Sequence, residues 1–155
     1  MPGDPTEFAI RSFEEGDRAA VITLWEICDL VRPLNNPDHD IDRKVSHSVD
    51  LLFVGCRGES IVATVMAGYD GHRGWINYLG VSPSERGTGV GAAMMLHAQS
   101  ALRAVGCPKI NLQVPSSNPD AIEFYRTMGY AVDDVILMSV RLVDDTQELA
   151  RPALP

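Results

Sequence analysis

The stretch Trp75-Ile76-Asn77-Tyr78-Leu79-Gly80-Val81-Ser82-Pro83-Ser84-Glu85-Arg86-Gly87-Thr88-Gly89-Val90-Gly91-Ala92-Ala93 decides how this chain folds. Trp75 to Val81 is mostly apolar, aromatic or β-branched, the composition of a strand. Ser82-Pro83-Ser84 breaks it. Val90, Ala93, Met94, His97, Ala101 and Val105 then recur on one helical face, so the stretch reads as strand, loop and a helix running to Gly106. The first turn of a helix has N–H groups without internal partners, and the helix dipole adds partial positive charge there. Gly87, Gly89 and Gly91 carry no Cβ to hold an anion away from those groups, and Arg86 adds a full charge beside them. The junction therefore reads as a site for a phosphate or pyrophosphate. A nucleoside-triphosphate loop would place a lysine directly after its last glycine, and Gly91 is followed by alanine. A dinucleotide fold wants Gly-x-Gly-x-x-Gly early in the chain, whereas here Ala92 or Met94 stands where the last glycine belongs.

Composition narrows the field. A chain of 155 residues suits one domain with a sizeable core. Residues 7–143 are read as that domain, with 1–6 and 144–155 as flexible tails. No run of eighteen apolar residues suggests a membrane span, and the polar start Met1 to Glu7 is not a signal peptide. Cys28, Cys56 and Cys107 are odd in number and lie in apolar patterns, which predicts reduced thiols in a cytoplasmic protein. A net charge of −8 argues against nucleic acid as a partner and suits a cationic substrate. Any polyanionic cofactor must then be held locally, by main-chain amides and Arg86. No metal is expected.

In chain order, the pattern predicts a first strand at about 7–12 and a helix opening at Glu14 to Asp17. Val21, Leu24, Trp25, Cys28 and Val31 keep helical spacing until Pro33. After a turn-rich connection, Asp38 or Asp40 can cap a short helix through Lys44 to His47. The acids Asp29, Asp38, Asp40 and Asp42 serve as caps and a solvated face, or form an acidic lip that attracts an amine. Leu51 to Cys56 and Ile61 to Tyr69 read as a hairpin, and Asp70-Gly-His-Arg-Gly74 turns into the central strand. Lys109 to Val114 is a short strand, parallel to the central one through a right-handed crossover. Asn118 is a good N-cap with Pro119 in the first helical position, and Ala121, Phe124, Tyr125 and Met128 mark the buried face up to Gly129. A last strand is expected at Val135 to Val143.

Arg86-x-x-Gly89-x-Gly91 after a strand, followed by Asn118-x-x-Ala121-x-x-Phe124-Tyr125-x-x-x-Gly129-Tyr130, resembles the two signature blocks of the GNAT superfamily of acetyltransferases. Leu24-Trp25, Arg32-Pro33, Gly68 to Gly74 and Gly106 to Ile110 look like the small bacterial members called YpeA. The resemblance implies an α/β (mixed α+β) fold: a central mixed, mostly antiparallel sheet, splayed between two parallel strands, with helices on both faces. It implies an acetyl-CoA-dependent N-acetyltransferase, acting by direct attack of an amine in a ternary complex. Backbone amides from Arg86 through Gly87, Thr88, Gly89, Val90, Gly91 and Ala92 would hold the pyrophosphate of acetyl-CoA. Leu79, Gly80 and Val81 would pair with the pantetheine arm as another strand would, and an N–H there would polarise the thioester carbonyl. Asn118 would contact the pantetheine. Tyr125 would give a proton to the departing thiolate.

On the acceptor side the resemblance implies a small-molecule or peptide amine. The loops at 32–42 and 70–74 should shape its pocket, so Arg32, Asp40, Asp70 and His72 from those loops, with Asn77 on the central strand, are candidate substrate contacts. The glutamate used as base by relatives that acetylate ribosomal-protein N-termini is replaced by Gln113. That of histone-type relatives falls within Trp75 to Asn77. Neither replacement accepts a proton. Deprotonating a lysine at pH 7 costs about 4.6 kcal/mol but an α-amine only about 1 kcal/mol, so the pattern disfavours a lysine-specific enzyme. The base is left open, with Asp70 and His72 as candidates. The missing carboxylate also allows a non-catalytic acyl-CoA-binding sensor. The family often dimerises, so a homodimer is allowed.

Overall fold

The computed structural model describes residue 4 and residues 6–146. Five strands form one sheet in the order β1-β2-β3-β4-β5: β1 Phe8–Ser12, β2 Leu52–Arg57, β3 Ser60–Tyr69, β4 Gly74–Val81 and β5 Ile110–Leu112. The first three pairings are antiparallel and β4 with β5 is parallel. Four helices complete the fold: α1 Arg18–Ile27, α2 Pro37–Ser48, α3 Val90–Ala104 and α4 Pro119–Thr127. The expected mixed, mostly antiparallel sheet is thus found. The parallel ladder holds only Gly74 to Ile76 against Ile110 to Leu112, and β4 runs on to Val81 paired with β3 but not with β5. The sheet is thus open between β4 and β5.

Helices cover both faces because each carries one apolar stripe. On one face Met94, Met95, Ala98 and Leu102 of α3 pack on Phe53, Val65, Ala67 and Ile76, with Phe124, Tyr125 and Met128 of α4 alongside. On the other, Val21 and Trp25 of α1 and Ile41 of α2 pack on Leu52, Val54 and Cys56.

Several boundaries differ from the sequence expectation. Glu15–Asp17 is a separate single helical turn, and α1 stops at Ile27, before Val31. The cap of α2 is Asn36, whose side chain accepts from the N–H groups of Asp38 and His39, with Pro37 next to it. Asp38 and Asp40 lie inside the first turn, where the dipole favours acids. The buried stripe of α3 includes Val90 and Met94 as expected but then follows Met95, Ala98 and Leu102. Val105 falls beyond the last turn and is exposed.

The expected last strand is absent. From Val135 to Val143 the chain has no regular structure, and Ile136, Met138, Val140 and Leu142 stand out in solvent. The β-branched composition is right for a strand, but the ladder offered to it is short. Residues paired in β5 number three, and Pro115 follows soon after. Both ends of the stretch are held elsewhere: Asp133 pairs with Lys109 at 2.9 Å, and Asp145 with Arg43 at 2.5 Å. Asp145 lies in the expected tail yet is only 6% exposed. Of the expected tails, residues 1–3, 5 and 147–155 lie outside the described residues.

Thr64, fully buried on β3, takes the Trp25 indole N–H at 2.9 Å and gives its own proton to the Tyr78 carbonyl at 2.9 Å. Thr64→Val leaves two buried polar groups unpaired, so it is expected to lower unfolding free energy by about 2–4 kcal/mol in urea titrations.

Candidate functional site

The site begins with an irregularity in β4. Thr64 pairs with Gly80 and Met66 with Asn77, so Tyr78 and Leu79 oppose the single residue Val65. This is a β-bulge, which leaves one residue out of the ladder and bends the strand. Tyr78 adopts φ of 50°, a left-handed conformation that costs a non-glycine residue free energy. Its ring is stacked on Trp25 with centroids 3.8 Å apart, and its carbonyl is held by Thr64. Its hydroxyl donates to Asp40 Oδ2 at 2.5 Å. Burial, then the hydrogen bond to Asp40, pushes the phenol above its ordinary range, so it keeps its proton at neutral pH.

Beyond the bulge, the splay between β4 and β5 encloses a cavity of about 190 Å³. Four residues singled out from the sequence line it together: Asn77, Leu79, Asn118 and Tyr125. Gln113 lines it as well. Asn118 caps α4 by accepting from the Ala121 N–H at 3.1 Å, which leaves its amide N–H groups for a ligand. Tyr125 packs edge-on against Phe124 and Tyr130, and Gln99 anchors the Tyr130 hydroxyl at 2.8 Å. No hydrogen bond to the Tyr125 hydroxyl is formed by any described residue. Burial, with a smaller contribution from Tyr130, pushes its pKa up to about 12. The hydroxyl is therefore protonated and available to donate.

The end of β4 leads to the anion loop. Gly80 and Val81 pair with Thr64 and Ala63, and Val81 offers its carbonyl to the Cys28 thiol at 3.3 Å. Glu85 is tied to Arg57 at 2.9 Å and accepts from Thr88 through its carbonyl, which fixes the base of the loop. Gly87 and Gly89 have φ of 77° and 87°, values that favour glycine. A Cβ on either would meet nothing within 4 Å, so the space above them is open. Gly89 is the N-cap of α3, and no side chain caps the helix. The N–H groups of its first turn, Val90 to Ala92, are left for an external acceptor. Arg86 is exposed and joins no ion pair among the described residues. An open, uncapped helix start of this kind fits a diphosphate.

A second cavity of about 440 Å³ lies between α2 and the sheet, lined by Asn35, Asp40, Arg43, Lys44, His47, Met66, Asn77 and Tyr78. It shares Asn77 and Tyr78 with the first. Of the acceptor-side candidates, Asp40 and Asn77 line it. Arg32, Asp70 and His72 line neither cavity. Arg32 is on the surface, 3.9 Å from Asp29. Asp70 holds the hairpin turn by accepting from the N–H groups of His72 and Arg73, and those bonds keep its carboxyl below the usual range. Burial pushes the Cys56 thiol up, away from the reactive thiolate. Among the described residues no group of acids, histidines and cysteines could hold a metal.

Sequence reasoning passed over Tyr78, Arg43, Lys44 and His47. The signal was there, since Asp40, Arg43, Lys44 and His47 are spaced as one helical face.

The family model described as acetyltransferase (GNAT) family matches residues 18–130, from the start of α1 to just past α4. Solved structures agree in fold. A transcriptional regulator from Bacillus halodurans C-125 is 24% identical with a TM-score of 0.69, covering 87% of this chain and all of its own. Glucosamine-6-phosphate N-acetyltransferase from Arabidopsis thaliana is 23% identical with a TM-score of 0.65, over 88% of this chain and 99% of that one. The aminoglycoside N-acetyltransferase AAC(6')-Iy, solved with CoA, is 15% identical with a TM-score of 0.72, over 89% and 97%.

Gly89→Val places a branched side chain at the left-handed cap of α3. If those amides hold a phosphate of CoA, two or three charge-assisted hydrogen bonds are lost, and binding of CoA in a calorimeter is expected to weaken at least about a hundredfold.

Proposed function

This chain belongs to the acetyltransferase (GNAT) family, and on that premise we propose that it is an N-acetyltransferase that moves an acetyl group from acetyl-CoA to a primary amine in a ternary complex. The observation that carries this reading is the meeting of two cavities at Asn77 and Tyr78, with Tyr125 on the wall of the first. Bound acetyl-CoA supplies a thioester that the amine attacks directly, forming the C–N bond and releasing the CoA thiol.

The residues divide the work. The amides from Arg86 to Ala92 hold the pyrophosphate at the start of α3. Leu79, Gly80 and Val81 present strand backbone to the pantetheine, and Asn118 offers its amide N–H groups to the same arm. A main-chain N–H near the end of β4 would polarise the thioester carbonyl. Tyr125 moves its hydroxyl proton toward the departing sulfur. With the phenol at about 12 and a thiol near 8.5, complete transfer is uphill by about 5 kcal/mol. The group therefore acts through a hydrogen bond that strengthens as charge grows on sulfur. Tyr78, whose own proton goes to Asp40, keeps a lone pair for an N–H of the acceptor. A non-catalytic acyl-CoA sensor has no use for a second cavity opening on the same two residues.

The order of motifs supports a YpeA-type member, and three free thiols support a cytoplasmic one. The exposed apolar stretch that leaves from the start of β5 supports pairing with a second copy, to be checked as a doubled mass in light scattering.

Tyr125→Phe keeps the ring packing and removes the donor. It is expected to lower turnover at least about tenfold, read as CoA thiol released with a panel of amines, while CoA affinity stays within about twofold. Unchanged turnover would remove Tyr125 from the mechanism, and no thiol release from any amine would contradict the activity.

A further inference from the structure

The second cavity is lined by a buried lysine that forms no ion pair with any described residue. Lys44 is only 8% exposed. Its ammonium donates to Ser48 Oγ at 2.9 Å and to the Ala67 carbonyl. An ammonium has three donors, and no ion pair among the described residues includes Lys44. The charges beside it on the same wall, Arg43 and Asp40, are already committed. Arg43 is held by Asp145 through two hydrogen bonds, at 2.8 and 2.5 Å, with Asp40 at 3.4 Å. Asp40 also accepts a hydrogen bond from the Tyr78 hydroxyl. Desolvation lowers the Lys44 pKa and the charge of nearby Asp50 offsets it only in part, so the buried ammonium has no paired counter-ion among the described residues.

The placement of this charge is informative. Asp40 and Lys44 stand one helical turn apart on the face of α2 that lines the cavity, a rise of about 6 Å. Asp40 and Tyr78 mark the end shared with the first cavity, and Lys44 lies further along, against β3. An acceptor whose amine sits at Asn77 and Tyr78 thus extends toward a cation. His47, one turn beyond Arg43, lines the same wall and offers ring nitrogens.

We infer that the acceptor carries an anionic oxygen group, a carboxylate or a phosphate, on the same small molecule as its amine, and that Lys44 pairs with that group. This rests on the proposed acetyl transfer for the position of the amine. The overall charge of −8 would by itself favour a purely cationic substrate, so the two readings separate cleanly.

The test uses matched pairs: γ-aminobutyrate against butylamine, and O-phosphoethanolamine against ethanolamine. With the wild-type protein, at least one anionic member is expected to exceed its neutral partner in kcat/KM by about tenfold or more. Which pair shows the preference tells carboxylate from phosphate. Lys44→Gln keeps hydrogen bonding toward Ser48 and the Ala67 carbonyl but not the charge, and Lys44→Met replaces the stem with an apolar one. Both variants are expected to bring the ratio to within about twofold of parity. Melting temperatures are read with the same four compounds. A rise with the anionic member that vanishes in both variants supports the pairing even where no compound is acetylated, a result that would sink the transfer reaction alone. Equal rates and equal melting shifts within both pairs overturn the inference, as does a preference that survives in Lys44→Gln.

Discussion

The bulge at Tyr78 and Leu79 is the constraint on which the rest depends. It breaks the β3–β4 ladder just past the point where β4 leaves β5, beside the opening between those two strands. It also turns Tyr78 toward α2 while Leu79 faces the first cavity. A left-handed non-glycine residue costs about 1–3 kcal/mol. Stacking on Trp25 returns about 0.5–1.5 kcal/mol, and hydrogen bonds to the carbonyl and hydroxyl about 1 kcal/mol each. These terms are of the same size, so the strained residue persists only because Trp25, Thr64 and Asp40 all hold it. The two cavities then meet at Asn77 and Tyr78.

Charge works locally in this protein. The chain is strongly acidic, yet both proposed anion contacts, the start of α3 and Lys44, present donors at short range. Screening limits distant acids to a reach of about 8–10 Å at ordinary ionic strength. A phosphate against uncapped amides, or an oxyanion against a buried ammonium, responds chiefly to what touches it. Asp145 contributes from beyond the last helix: its carboxylate, held at about 2 by Arg43 and His39, steadies the guanidinium that lines the second cavity.

Much of this was legible in the sequence, for identifiable reasons. Gly87, Gly89 and Gly91 after Pro83 announce a helix start with bare backbone, and Asn118-Pro119 announces another capped start; each signal is local and each was found. The cavity residues Asn77, Leu79, Asn118 and Tyr125 came with the family resemblance that those two anchors carry. The acceptor side was not legible, because it is made by residues far apart in the chain. Asp40 and Tyr78 are 38 residues apart, and nothing in the spacing of either predicts that they touch. Asp70 and His72 looked like a proton-handling pair, but their turn uses the carboxylate for its own N–H groups. Val135 to Val143 has strand composition, and composition is blind to whether a neighbour offers enough ladder to pair with.

The central claim is that main chain at the start of α3 grips a diphosphate and thereby directs a thioester to Tyr125. A crystal structure of the protein with bound CoA tests it most directly. The account predicts diphosphate oxygens within hydrogen-bonding distance of the N–H groups between Gly87 and Ala92, and the sulfur in the first cavity beside the Tyr125 hydroxyl. A diphosphate seated elsewhere, or a sulfur out of reach of that hydroxyl, would contradict it.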